Sequence, residues 1–177
     1  MNETCISAAS DLLGNSDFQN SGSGIDVLVH EIAHQWWGLT TIPVSDEASY
    51  WSREGITCYS TYRFMAQYFG EQYAKEHFID KWQEMWKNYK NAFYVQHPEY
   101  FSKLSQGDRS TVMASLSNIG NYGIMPLQLL KAENILDGQE CFQKKLSELY
   151  KAYLGNSITY GDFLSATGLT EEVLNLE

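Results

Sequence analysis

The sequence predicts a mainly α-helical fold of one domain, with at most a short strand near its N-terminus. Apolar residues recur at three- and four-residue steps over most of the chain, which is the period of an amphipathic helix. The 177 residues are 44% hydrophobic and 14% aromatic, which is enough for a core. Only the first dozen residues have a pattern that favours a strand.

The predicted helices follow one another closely along the chain. The first runs from Ile25 to Gly38, after a polar loop at Asn15 to Gly24, and the second runs from about Trp51 to Phe69 and is ended by Gly70. The later predicted helices are Glu71 to Asn91, Tyr122 to Leu136, Gln139 to Leu154, Tyr160 to Ala166 and Glu171 to Leu176. The stretch from His97 to Arg109 is predicted to be a loop.

The charge of the chain excludes some classes of partner. Twelve basic and 22 acidic residues give a formal charge of −10, which repels phosphate backbones and anionic lipid surfaces. We therefore expect no nucleic acid and no membrane contact. No apolar run reaches the roughly 18 residues of a membrane helix, and the start MNETCISAASDLL lacks the regions of a signal peptide. The sequence predicts a soluble chain and indicates neither compartment nor oligomeric state.

The cysteines do not indicate a disulfide framework or a metal cage. Cys5, Cys58 and Cys141 are odd in number, widely spaced and outside any C-x-x-C pair. We expect them to be small apolar residues of the core.

The first helix contains three ionisable groups in the apolar stretch VLVHEIAHQWWG, Val27 to Gly38. Residues four apart lie on the same face of a helix, so His30 and His34 can direct their imidazoles at one point. Hydrolytic zinc sites combine imidazoles with a carboxylate and keep a position for water, and a glutamate beside the first histidine can act as the base. Metal binding is therefore predicted, with Glu31 as the base. The alternative is a chance pair of helix histidines with a surface glutamate. His77 and His97 stand alone in the sequence and are interpreted as ordinary surface or core histidines.

A third metal ligand is expected downstream, in YWSREGITCYSTY, Tyr50 to Tyr62. HEIAHQWWG followed by WSREGITCY resembles the HE-x-x-HQW-[FW]-G and W-x-x-EG-x-x-x-Y signatures of the gluzincin zinc metallopeptidases of the membrane alanine aminopeptidase family. The resemblance implies a thermolysin-like zincin catalytic domain with one zinc ion per chain. It implies His30, His34 and Glu54 as ligands and Glu31 as the group that activates water. Weaker similarity in NETCISAASDLL and in LLKAENILDGQECFQKKLSELYKAY with ITYGDFL extends it over most of the chain.

The spacing to the third ligand departs from the family pattern. The family usually places eighteen residues between the second histidine and the glutamate, whereas Gln35 to Arg53 make nineteen. Strict counting reaches Arg53, whose permanently cationic guanidinium cannot ligate zinc. Glu54 precedes Gly55 as the family ligand precedes its glycine, so we assign Glu54 and place the extra residue in the loop from Leu39 to Tyr50. The alternative carboxylates are Asp46 and Glu47.

The tyrosine that donates a hydrogen bond to the oxyanion in this family also lies at a shifted position. The family supplies it from a Y-x-KG-like motif. In NIGNYGIMPLQLL, aligning Gly123 with that glycine puts Gly120 where the tyrosine belongs, and Tyr122 lies two positions on. Such a shift rotates a side chain by about 200° on an α-helix. Tyr122 can therefore substitute only if the helix begins later or the backbone differs there; the alternative is a packed or surface tyrosine.

The implied function is zinc-dependent, aminopeptidase-like hydrolysis of a peptide or protein substrate. The family's G-x-M-E-N segment, whose glutamate binds the free amino group of the substrate, is expected upstream of Asn2. We therefore expect either the catalytic part of a longer protein or a relative without that anchor. A zinc-binding but inactive interaction module and a zinc endopeptidase stay open as alternatives. The preferred side chain of the substrate is not indicated.

Overall fold

The computed structural model describes residues 24–43 and 50–177, which form helices and a pair of two-residue strands. In chain order the helices are α1 (Ile25–Ala33), α2 (Ile56–Phe69), α3 (Glu71–Ala74), α4 (Asp80–Asn91), α5 (Phe93–Gln96), α6 (Pro98–Phe101), α7 (Gln106–Ile119), α8 (Met125–Ile135), α9 (Gln139–Ala152), α10 (Tyr160–Thr167) and α11 (Glu171–Leu174). The π-helical turns are π1 (Tyr50–Gly55) before α2, π2 (Lys75–Ile79) between α3 and α4, and π3 (Gly120–Ile124) between α7 and α8. Within these residues, no helix combines the length and the apolar character that crossing a bilayer demands.

The mainly helical fold class is confirmed, and the strands lie where the sequence did not indicate them. The predicted N-terminal strand lies outside the described residues. The observed strands, β1 (Ile42–Pro43) and β2 (Ser157–Ile158), are parallel and pair Ile42 with Ser157. The Ile42 amide donates to the Asn156 carbonyl at 3.1 Å. This pairing fixes the segment after α1 to the segment before α10.

The first helix ends earlier than predicted. α1 stops at Ala33 rather than at Gly38, and the Thr40 and Thr41 hydroxyls donate to the Trp36 carbonyl at 3.0 and 3.1 Å. These bonds satisfy a carbonyl that a longer helix would have used. Gly38 has φ +99°, and an added Cβ would lie 2.8 Å from Cγ of Arg53, so this glycine lets the chain turn back closely against π1.

Two further predicted boundaries are wrong. The expected loop from His97 to Arg109 contains α6 and the start of α7. The start of α7 is fixed by the Ser105 side chain, which accepts a hydrogen bond from the Asp108 amide and caps the helix. The helix expected to begin at Tyr122 instead continues from α7 through π3 into α8. Tyr122 therefore lies inside a long helical segment rather than at its first turn.

The core lies among α2, α8, α9 and α10, beside the helix that carries the histidines. Its largest fully buried side chains include Trp51, Tyr59, Phe142 and Phe163. Trp82 of α4 is buried, and Trp86 of α4 and Phe78 of π2 pack against the core. Several apolar residues of α1 and of the turn after it are much more exposed than their sequence suggests. Val27 (48%) and Ile32 (47%) of α1 and Trp36 (48%) after it have about half of their surface exposed.

A buried ion pair joins α2 to α8. The Arg63 guanidinium contacts both carboxylate oxygens of Glu133, with Nε 2.9 Å from Oε2, and the Tyr59 hydroxyl donates to the same carboxylate. The side chains of Arg63 and Glu133 are only 12% and 6% exposed. Glu71 also approaches Arg63, at 3.7 Å, but its side chain is 73% exposed.

Glu133→Ala is expected to lower the free energy of unfolding by about 3–5 kcal/mol, because it leaves the buried Arg63 charge without its partner. Urea unfolding measures this loss. Glu71→Ala is the matched control, since it removes an exposed carboxylate from the same guanidinium and should cost at most about 1 kcal/mol. Equal losses in the two variants would contradict the assignment of Glu133 as the buried partner.

Candidate metal centre

The two histidines of α1 lie close together with perpendicular rings. The ring centroids of His30 and His34 are 4.7 Å apart, at an interplanar angle of 90°. A ligand atom of each histidine and one of Glu31 all lie within 4.8 Å of one another, which makes the three a possible metal-holding group among the described residues. Helical spacing thus brings together the three ionisable groups singled out in the sequence.

Glu54 faces both histidines from π1. Its Oε2 lies 3.3 Å from Nε2 of His30 and 3.6 Å from Nε2 of His34. The side chain of Arg53, the residue reached by strict counting, is 57% exposed, and its Nε lies 3.5 Å from the other oxygen of Glu54. Among the described residues, Glu54 therefore occupies the position expected of a third ligand. Asp46 and Glu47 lie outside the described residues.

The π-helical turn that carries Glu54 offers a place for the extra residue between His34 and Glu54. A π-turn closes its hydrogen bond from i to i+5, so it contains one residue more than an α-turn. π1 is therefore a second place that accommodates the additional residue, directly beside Glu54. The placement in the loop from Leu39 to Tyr50 stays a prediction, because residues 44–49 lie outside the described part of the chain.

Hydrogen bonds behind the histidines orient their rings. Nδ1 of His34 lies 3.2 Å from the Trp37 carbonyl oxygen and 3.4 Å from the Thr57 hydroxyl. A carbonyl only accepts, so Nδ1 donates, and in the neutral ring Nε2, facing Glu54, is then the nitrogen that carries the lone pair. Nδ1 of His30 lies 3.9 Å from Sγ of Cys58.

Thr57 and Cys58 were missed as supporting residues in the sequence. The available signal was their position three and four residues after Glu54, which is one helical turn away on α2.

The electrostatics of Glu54 suit a metal ligand. Burial raises the pKa of its carboxyl, but the His30 and His34 imidazoles and the Tyr122 hydroxyl lower it by more, so the pKa lies below its ordinary value. The carboxylate is therefore ionised at neutral pH. Its Oε2 is buried and has no hydrogen-bond partner among the described residues. A buried, charged oxygen between two imidazole nitrogens is satisfied by a cation, so this donor set fits zinc.

Tyr122 reaches the same cluster from π3. Its ring centroid lies 6.2 Å from that of His30, and its hydroxyl interacts with the Glu54 carboxylate. Burial, followed by the negative charge of Glu54, raises the pKa of Tyr122 to about 12. The phenol is therefore protonated at neutral pH and can donate a hydrogen bond. From the sequence, Tyr122 could reach this position only if the helix began later or the backbone differed there. The structure has a different backbone at this point, the π-turn π3.

A cavity of about 360 Å³ opens at the cluster. Its polar wall includes His30, Glu31 and Tyr122, and its apolar wall includes Val27 and Trp82. A second cavity, of about 610 Å³, contains none of the candidate site residues. It is lined in part by Trp36, Arg63, Phe64 and Tyr150.

The remaining histidines and cysteines occupy different environments. His77 and His97 are exposed and contact the Tyr73 carbonyl and the Glu99 carboxylate respectively, as surface histidines do. Cys58 is buried, as expected, but the same expectation is wrong for Cys141, which is exposed on α9. Cys5 lies outside the described residues.

Thiol reactivity should separate the two described cysteines. Burial, with a smaller contribution from the Glu54 charge, raises the pKa of the Cys58 thiol, so it stays protonated and unreactive. In a Cys5→Ser background we expect a disulfide reagent to modify one thiol quickly in the native protein, and Cys141→Ser to remove that reaction. A second quickly reacting thiol in the native state would show that Cys58 is accessible.

Comparisons with known proteins identify related sequences. A sequence model described as the Peptidase family M1 domain matches residues 2–176. Leucine aminopeptidase 2 of Kluyveromyces lactis is 30% identical over 148 residues, which cover 81% of this chain and 21% of that protein. Leucine aminopeptidase 2 of Emericella nidulans is 26% identical over 143 residues, which cover 78% of this chain and 22% of that protein. The chain thus spans about a fifth of the length of these relatives. No solved structure matches it.

Proposed function

The chain belongs to peptidase family M1, and on this basis we propose that it hydrolyses peptide bonds as a zinc-dependent, aminopeptidase-like enzyme. The resemblance recognised in HEIAHQWWG and WSREGITCY is the same family relationship. One observation carries the proposal further than family membership. The Glu54 carboxylate lies 3.3 and 3.6 Å from the Nε2 atoms of His30 and His34.

In the proposed mechanism, His30, His34 and Glu54 would hold one zinc ion. Bound there, the ion would act as a Lewis acid that lowers the pKa of a water molecule and polarises the substrate carbonyl. The Trp37 carbonyl supports this role, because it fixes the His34 proton on Nδ1.

Glu31 acts as the general base in this mechanism. It lies beside His30 in the chain, and its carboxylate belongs to the same compact group as both imidazoles. It accepts a proton from the attacking water and passes that proton to the leaving amine. The peptide bond is thereby cleaved with no net change in the protonation of Glu31.

Tyr122 acts as the donor to the oxyanion that forms as water attacks the carbonyl. Tyr122→Phe should lower kcat by about 10²- to 10³-fold, the usual cost of removing one such donor, while zinc content and stability are unchanged. Steady-state kinetics, metal analysis and unfolding curves measure these quantities. The control is Tyr68→Phe, which removes a phenol whose residue is 72% exposed. Equal kcat values for the wild type and Tyr122→Phe would reduce Tyr122 to a packing residue.

A fluorogenic leucine amide tests the proposed activity, because the relatives at 30% and 26% identity are named leucine aminopeptidases. We expect hydrolysis that a chelator abolishes and added zinc restores. We also expect N-acetylation of the substrate to abolish hydrolysis, since an aminopeptidase acts on a free amino terminus.

The remaining outcomes distinguish the alternatives. Equal cleavage of acetylated and free substrates would favour an endopeptidase. Zinc binding without hydrolysis would favour an inactive interaction module, provided that a longer form carrying the family's amino-group-binding segment is inactive as well. Activity in the longer form alone would instead mean that this segment is essential for turnover.

A further inference from the structure

Gly123, the residue after the candidate oxyanion donor, lies directly against helix α4. A Cβ added at Gly123 would lie 2.7 Å from Cβ and 3.3 Å from Sδ of Met85. Non-bonded carbon atoms prefer separations of about 3.5–4.0 Å. Because Cβ of Met85 is bonded to the backbone of α4, no side-chain rotation can relieve the overlap. Only glycine fits at position 123 with the two segments this close.

Gly120, in the same π-turn, has no comparable restriction. A Cβ added there would meet no heavy atom within 4 Å. Its backbone angles, φ −56° and ψ −52°, are those of an ordinary right-handed helix. The two glycines therefore differ in the space around them, and they form a matched pair for substitution.

The contact between Gly123 and Met85 explains how Tyr122 comes to lie in the site, although the family's tyrosine would align with position 120, two residues earlier. A π-turn is rare and is tolerated where its surroundings favour it. π3 carries Tyr122 toward Glu54 and His30, and the next residue, Gly123, is the point where this turn touches α4. We infer that Gly123 and Met85 are positioning residues, whose close contact holds π3 in place and aims the Tyr122 hydroxyl at the site. The kinetic consequence rests on the function proposed above.

The first test observes the Tyr122 ring in the metal-free protein, without using activity. The chain has 12 tyrosines, and with ¹³C-labelled tyrosine the Tyr122 signal is the one that Tyr122→Phe removes. Gly123→Ala should move this signal, whereas Gly120→Ala should leave it in place. If Gly123→Ala does not fold, Met85→Ile crowds the same contact from α4 and should move the signal too. An unmoved Tyr122 signal in the folded variant would overturn the inference.

The second test asks whether the effect on catalysis passes through Tyr122. Gly123→Ala, or Met85→Ile in its place, should lower kcat by about 10- to 100-fold with little change in KM, since a misplacement of about 1 Å can cost about 10²-fold. In a Tyr122→Phe background the same substitution should have no further effect on kcat. An equal loss in both backgrounds would mean a general structural effect and would overturn the inference.

The two tests separate this inference from the proposed function. If Tyr122→Phe retains full kcat while Gly123→Ala moves the Tyr122 signal, the positioning contact stands and the oxyanion role of Tyr122 fails. If Tyr122→Phe loses turnover but Gly123→Ala moves no signal, the oxyanion role stands and the positioning contact fails.

Discussion

Replacing Glu31 with glutamine is expected to lower the rate of peptide hydrolysis by about 10²- to 10⁴-fold, the range attributed to general acid–base catalysis. The amide has nearly the shape of the carboxylate but cannot accept a proton from water at neutral pH. Glu31 lies within 4.8 Å of the ligand atoms of both histidines, but it is not one of the three proposed ligands. The zinc content of the variant should therefore stay at one ion per chain. Steady-state kinetics and metal analysis of the same preparation measure both quantities.

Asp26→Asn provides the matched control for Glu31→Gln. Asp26 lies five residues earlier on α1 and lines the same cavity, and its Oδ1 accepts hydrogen bonds from the Gly24 and Val27 amides. An asparagine oxygen can accept the same bonds, so this acid-to-amide change should leave turnover within about threefold, a difference of less than about 0.7 kcal/mol. Loss of zinc together with activity in Glu31→Gln would make Glu31 a ligand rather than the base.

Replacing His34 with alanine is expected to remove stoichiometric zinc and, with it, all hydrolysis. Changing a group that merely supports a ligand typically weakens metal binding by about 10- to 100-fold, so losing a ligand should cost more than about 100-fold. Dialysis against a mild chelator followed by metal analysis measures the retained zinc. His77→Ala is the control, because it removes an exposed histidine of the same chemistry whose Nδ1 contacts the Tyr73 carbonyl. Full zinc retention in His34→Ala would contradict the site.

Much of the candidate site follows from local sequence. A helical repeat places His30, Glu31 and His34 within 4.8 Å of one another, and the structure has that arrangement. The choice of Glu54 over Arg53 came from the resemblance and from the chemistry of a guanidinium, and Glu54 does face both imidazoles. Its role as a ligand stays a prediction until metal binding is measured.

Other features depend on contacts between residues that are distant in sequence, so local patterns could not predict them. The π-turn that carries Tyr122 lies where Gly123 packs against Met85 of another helix. Strands β1 and β2 have two residues each, too few for an alternating pattern, and each exists through pairing with the other.

The wrong boundaries had different causes. The start of α7 was missed although Ser105 followed three residues later by Asp108 is a cap signal that was present in the sequence. The sequence predicts the end of α1 at Gly38 because the apolar period continues beyond Ala33. In the structure the helix ends at Ala33, and the Thr40 and Thr41 hydroxyls donate to the Trp36 carbonyl.

The most direct test of the metal centre is a zinc titration of the wild-type chain, Glu54→Ala and Arg53→Ala against a competing chelator. The two variants change neighbouring residues of π1, but only Glu54 presents a carboxylate oxygen to His30 and His34. We predict one tightly bound zinc ion per chain in the wild type, binding more than about 100-fold weaker in Glu54→Ala, and unchanged binding in Arg53→Ala. Zinc affinity in Glu54→Ala equal to that of the wild type would contradict the three-residue site.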